Sequence, residues 1–177
     1  MLKNNFEVVL YADGACSGNP GVGGWACVLS HPAKELVLKG SAPFTTNQRM
    51  ELAAVLAGLR ALKRPARVKI VSDSKYVTDG ISQWLPIWAS RKWSKVANTD
   101  FWKPIYELCQ THSVYTEWLK GHSGHPMNER CDRLAVAEIE KLKKNRLLHG
   151  LVQRKLWADA AWLAEHEEEI ANGWGDR

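Results

Sequence analysis

The chain is more informative at first for what it lacks. Its four cysteines, Cys16, Cys27, Cys109 and Cys131, include no CxxC pair, so neither a zinc knuckle nor a disulfide framework is indicated and reduced thiols are expected. The first residues, Met1 to Asn5, show no charged-then-apolar signal pattern, and no apolar run approaches membrane-spanning length. There is no internal repeat and no low-complexity tract. A cytoplasmic protein with no membrane association is expected. What remains is a chain of 177 residues, 45% hydrophobic and 24% charged, enough for one full core and a short appendage. A net charge of +5 suits a polyanionic partner, because lysine and arginine release counterions from phosphates.

Phe6 to Tyr11 reads as a strand running to Asp13-Gly14, Gly18 to Gly24 as a loop, and Trp25 to Leu29 and Glu35 to Lys39 as two further strands. This spacing suggests an antiparallel meander. The period then lengthens: Leu52, Val55, Leu56, Leu59 and Leu62 fall at helical spacing, with Thr46 and Asn47 available as N-caps and Pro65 at the exit. Val68 to Ser72 and Val114 to Leu119 are short strands, separated by helical stretches over Lys75 to Ala89 and Asp100 to Gln110. Pro126 opens a last helix, where His125 is expected to start the helix or pack. Strands alternating with helices after a meander imply an α/β fold with a mixed sheet. Residues 1–145 are read as one domain and 146–177 as a helical extension with an apolar stripe, expected to pack on that domain, with dimerisation or partner binding as the alternative.

Three acids stand in apolar surroundings: Asp13 and Asp73 at strand ends, and Glu51 inside a helix of Met, Leu, Ala and Val. Each has an ordinary use. Asp13-Gly14 could start a turn, Asp73 could cap a helix, and Glu51 could lie on a helix margin. Together they suggest something else, because sites in open α/β sheets gather at the carboxyl ends of adjacent strands. Carboxylates crowded there repel and lose hydration unless cations or protons compensate, and hard oxygen donors select Mg²⁺ or Mn²⁺. His122, His125 and Cys131 could be read as zinc ligands, but one thiol and no second pair argue against it.

Four blocks carry a resemblance: Tyr11 to Gly21 (YADGACSGNPG), Thr46 to Leu52 (TNQRMEL), Ser72 to Val77 (SDSKYV) and Gly121 to Asp132 (GHSGHPMNERCD). In order and spacing they resemble the motifs of bacterial type 1 ribonuclease H, over about Phe6 to Lys143. The resemblance implies a ribonuclease H-like fold: a five-stranded mixed sheet, three antiparallel strands first, flanked by helices. It implies an endonuclease that cuts the RNA strand of RNA–DNA hybrids with two metal ions, leaving 3′-hydroxyl and 5′-phosphate ends. Asp13, Glu51, Asp73 and Asp132 look like the metal-binding carboxylates, with Asp13 bridging both ions, Asp132 favouring the nucleophile side, and Glu51 and Asp73 the other. His122 looks like the mobile-loop histidine that assists proton transfer or product release. Two Mg²⁺ per site, with Mn²⁺ as substitute, no small-molecule cofactor and a monomeric state are expected.

For the hybrid, the Gly-rich backbone from Cys16 to Gly21 permits close approach, while Asn19, Asn47 and Gln48 offer neutral donors and acceptors. Ser74 and Lys75 lie beside Asp73 and could contact a phosphate. Trp84, Trp88, Trp93 and Trp102, interleaved with Arg91, Lys92 and Lys95, suggest a nucleic-acid surface, with Trp84 mainly in the core and Trp88 or Trp93 partly exposed. Ser94 to Phe101 is shorter and less lysine-rich than the family's basic protrusion, a departure that bears on hybrid affinity and its salt dependence. Integrases, junction resolvases and detached reverse-transcriptase nuclease domains share clustered acids but not all four blocks. A non-catalytic binding module would be favoured by a missing carboxylate, and none is missing.

Overall fold

A computed structural model describes residues 6–145; the extension expected over 146–177 lies outside the described residues. The elements in chain order are β1 (Val8–Gly18), β2 (Gly21–His31), β3 (Lys34–Thr45), α1 (Asn47–Arg60), β4 (Arg67–Ser72), α2 (Lys75–Asp79), α3 (Leu85–Ser90), α4 (Thr99–Thr111), β5 (Ser113–Trp118) and α5 (Pro126–Lys144). A π-helical turn, Gly80–Trp84, joins α2 to α3. The five strands form one sheet in the order β3-β2-β1-β4-β5. β1, β2 and β3 pair antiparallel, whereas β4 runs parallel to both β1 and β5. The expected mixed sheet with its leading meander is therefore the fold observed.

Thr46 caps α1 through its side chain, which accepts from the Arg49 amide at 3.4 Å. On one face of the sheet Leu10, Ala12, Val68 and Ile70 meet Leu52, Val55 and Leu59 of α1 and Phe101, Trp102 and Ile105 of α4. The opposite face is covered by α5, which packs across β1, β2 and β3 and buries Cys131, Ala135 and Ile139.

One expectation is corrected at the first hairpin. Gly18 to Gly24 was expected as a loop, but β2 already begins at Gly21 and only Asn19-Pro20 turns the chain. The glycines serve packing. A Cβ on Gly23 would lie 2.3 Å from the Thr45 side chain and 2.6 Å from that of Met50, whereas one on Gly24 would lie 2.1 Å from the Ala135 carbonyl oxygen. Consecutive strand residues point to opposite faces, so the pair thins the sheet where α1 and α5 press on its two sides. Gly24→Ala should therefore overpack the β2–α5 contact and lower stability by about 1–3 kcal/mol. Chemical denaturation monitored by circular dichroism measures this cost.

A second correction concerns the tryptophans. Trp84 is half-buried and stacks on Trp88 at 5.5 Å and Tyr76 at 6.5 Å, outside the main core cluster. Among the described residues the fully buried indole is Trp102, against which Trp88 packs edge-on at 5.2 Å. The π turn puts an extra residue into the helix just before Trp84 and rotates it off the face that helical spacing assigns it. Gly80, in the same turn, admits the Trp102 ring: a Cβ there would sit 2.2 Å from it.

Candidate active site

The β1–β4 pairing ends at Tyr11↔Val71, so continuing the parallel register two places sets Asp13 level with Asp73. Asp13 is not in a turn but inside β1, at 8% exposure, with its Oδ1 accepting from the Gly14 amide at 2.7 Å. Asp73 follows the last residue of β4 and does not cap α2. Ser74 does, its Oγ accepting from the Val77 amide at 3.3 Å. The Asp73 Oδ2 instead accepts from Asn128 Nδ2 at 3.0 Å, and its carbonyl accepts from the exposed Trp118 indole at 2.8 Å. Glu51, on the second turn of α1, is half-buried: Oε1 accepts from Asn47 Nδ2 at 2.8 Å and Oε2 from Ser74 Oγ at 2.6 Å. The ordinary uses open to each acid alone are thus not the ones observed.

Asp132 is brought in by α5, whose Gly24 contact holds it close against the sheet. His122 is exposed in the loop after β5, with a left-handed backbone (φ 51°). Asp13, Glu51, Asp73, Asp132 and His122 line one open cleft of about 300 Å³, with Cys16 and Asn47 in its wall. Each of the four acids comes from a different part of the chain, and the fold gathers them.

Gathering them has an electrostatic cost. Burial, then the negative charge of Asp73, pushes the Asp13 carboxyl up to about 8; Asp132 and Glu51 add to this, while the Gly14 hydrogen bond opposes it. Burial likewise raises Glu51, and Asp73 adds to it, against the hydrogen bonds from Ser74 and Asn47. Among the described residues, no three Asp, Glu, His or Cys side chains converge tightly enough to cage a cation as they stand. The donor set is nevertheless one of hard carboxylate oxygens under mutual repulsion, and a divalent cation of the Mg²⁺ type fits both features.

The remaining candidates divide. Cys16 is half-buried, its Sγ 3.4 Å from the Thr45 carbonyl oxygen, and burial raises its thiol pKa. Asn19 is exposed at the hairpin tip and accepts from the Asn47 amide at 3.2 Å, tying that tip to the start of α1. Gln48 is exposed beside it. Ser74 turns toward Glu51 rather than outward, while the exposed Lys75 holds its ammonium 4.9 Å from the Trp118 ring centre. Trp88 and Trp93 do not line the cleft; both are half-buried against the core, Trp93 edge-on to Tyr106 at 5.7 Å. The zinc reading has no geometry behind it. His125 caps α5 through Nδ1 and stacks on Tyr11 at 5.5 Å, and the buried Cys131 thiol points to the Tyr11 carbonyl. Asn128, Trp118 and Gly121 all touch Asp73 or crowd it, and sequence reasoning passed over all three. The signal for Asn128 was its place inside the Gly121 to Asp132 block.

The sheet order, with acids gathered at the carboxyl ends of its central strands, defines a ribonuclease H-like nuclease fold. The family model described as RNase H matches residues 5–140. The chain is 52% identical to a ribonuclease H of Ralstonia nicotianae, over 76% of this chain and 92% of that one. Its structure superposes on LC9-RNase H1, described as a type 1 RNase H with the type 2 active-site motif, with a TM-score of 0.69 and 32% identity, covering 76% and 72% of the two chains. It also superposes on LC11-RNase H1, solved in complex with RNA/DNA hybrid, with a TM-score of 0.61; at 19% identity, over 77% and 99% of the chains, that match speaks for the fold alone. The chain belongs to the ribonuclease H family, in its bacterial type 1 branch.

Proposed function

We propose that the protein hydrolyses the RNA strand of RNA–DNA hybrids internally, leaving 3′-hydroxyl and 5′-phosphate ends. The observation that carries this reading is one cleft where four acids from four parts of the chain crowd together, with burial and acidic neighbours pushing the Asp13 carboxyl up to about 8. Two Mg²⁺ ions, with Mn²⁺ as a substitute, would supply an activated water on one side of the phosphate and charge neutralisation of the leaving oxygen on the other. Asp13, the most buried acid of the cleft and the one facing the charges of the other three, would hold both ions. Asp132 serves the nucleophile side, and Glu51 and Asp73 the leaving-group side. Asn47 and Ser74 fix the Glu51 carboxylate by donating to its two oxygens. His122, exposed on its loop, carries a proton or speeds product departure.

Cys16 and Asn47 in the cleft wall, with Asn19 and Gln48 beside them, read the sugar edges of the hybrid, with Lys75 toward a phosphate, and Trp88 and Trp93 flanking the DNA strand. Residues 1–145 form the catalytic domain and 146–177 an appended extension. The protein acts as a monomer in the cytoplasm, a setting in keeping with its free thiols; no described helix is long and apolar enough to cross a membrane. The test uses a labelled hybrid beside RNA–RNA and DNA–DNA duplexes, with Mg²⁺ or with excess chelator. Cutting confined to the RNA of the hybrid, and lost with chelator, is expected. Equal cutting of the DNA duplex, or none by the folded protein, overturns the proposal. His122→Ala is expected to slow turnover on the order of 10²-fold without abolishing it, measured as single-turnover against steady-state rates.

A further inference from the structure

Each cleft acid is held differently. Asp13 has a backbone donor and Glu51 has two side-chain donors. The Asp73 carboxylate has one side chain: Asn128 Nδ2, 3.0 Å from its Oδ2. Asn128 lies on the first turn of α5 at 4% exposure, and it does not line the cleft. Its Oδ1 is buried with no hydrogen-bond partner, an arrangement that costs stability and that an apolar side chain of similar size would avoid. Folding alone gives no reason for an amide here. Its one bond reaches a cleft carboxylate.

The surroundings of Asp73 support this reading. Gly121 presses against it from the loop that carries His122, since a Cβ on Gly121 would stand 2.8 Å from Asp73 Oδ2. The Trp118 indole holds the Asp73 carbonyl from the end of β5. Asn128 and Asp132 are four residues apart on α5 and so share one face of that helix. The amide therefore ties one acid of the cleft to the helix turn beneath another. We propose that Asn128 is a positioning residue for the reaction, which fixes the Asp73 carboxylate relative to Asp132 so that the two acids are spaced for the divalent ions each helps to hold. This rests on the metal reading of the cleft given above.

The test measures Mg²⁺ binding to the full-length protein by isothermal titration calorimetry, with no hybrid present, alongside thermal melting without metal. Asn128→Ala and Asn128→Leu, the latter keeping the volume, are compared with the parent and repeated in an Asp73→Asn background. The expected result is Mg²⁺ affinity weakened 10–100-fold, the range typical of residues that orient metal ligands. Melting should stay within a few degrees of the parent, and neither substitution should weaken binding further once Asp73 is Asn. Parental affinity in either folded variant overturns the inference. So does an undiminished loss in the Asp73→Asn background, or failure of both variants to fold, which would make Asn128 a folding residue. A parent that binds no Mg²⁺ overturns the metal reading itself, an outcome distinct from parental affinity in the variants.

Discussion

Asp13→Asn should leave the protein folded and reduce hybrid cleavage by more than about 100-fold, beyond the loss typical of residues that only orient metal ligands. The carboxamide has the size of the carboxylate, and its oxygen still accepts from the Gly14 amide that now holds Asp13 at 2.7 Å. Nothing in the packing of β1 has to move. What disappears is the charge that Asp73, Asp132 and Glu51 oppose, and with it the oxygen proposed to hold both ions. Cleavage of a labelled hybrid and thermal melting on the same sample separate the two effects. Activity within a few-fold of the parent, at intact melting, would remove Asp13 from the machinery.

The fold was readable because β-forming residues bounded by turn residues mark the strands, while three-to-four spacing marks α1, whose Leu52, Val55 and Leu59 are all fully buried. Reading failed where glycine carries two meanings. Gly21, Gly23 and Gly24 look like a turn, yet they lie in a strand where Gly23 meets Met50 on one side and Gly24 meets Ala135 on the other, partners more than 20 and 100 residues away. Local propensity has no access to such contacts. Trp84 failed for a related reason, since one extra residue in the π turn changes the face, and no residue type announces that turn. As for the cleft, the sequence marked its acids by their apolar surroundings and by motif. Their gathering into one cleft depends on strand register and on α5 lying tight against Gly24. The supports stayed hidden: Ser74 looked like a phosphate contact and turns to Glu51, and Asn128 looked like an ordinary polar residue at a helix start.

The same crowding predicts how stability follows pH in the absence of divalent ions. Asp13 titrates near 3.9 in an unfolded chain and at about 8 in the fold. Between those values the folded protein binds a proton that the unfolded chain has released, so stability falls as pH rises from about 4 to about 8 and levels off above. Glu51, also raised by burial, contributes with the same sign. Comparing the parent with Asp13→Asn at each pH cancels the titrating groups remote from the cleft and leaves Asp13 together with the acids coupled to it. Asn at 13 becomes more stabilising relative to Asp by an amount on the order of 2 kcal/mol across the window. In melting temperature that is about 4–8 °C, with the variant gaining on the parent toward pH 8. Mg²⁺ should oppose the trend in the parent, since a bound cation replaces the proton as the partner of the buried charge. At a hundredfold excess over its dissociation constant it adds about 2.7 kcal/mol, an effect larger at pH 8 than at pH 5 and weak in the Asn variant. Denaturant titrations at pH 5, 7 and 9, with Mg²⁺ or chelator, measure all of this. A parent-to-variant difference that stays flat with pH would mean that Asp13 is ionised throughout and that the cleft acids do not share a field.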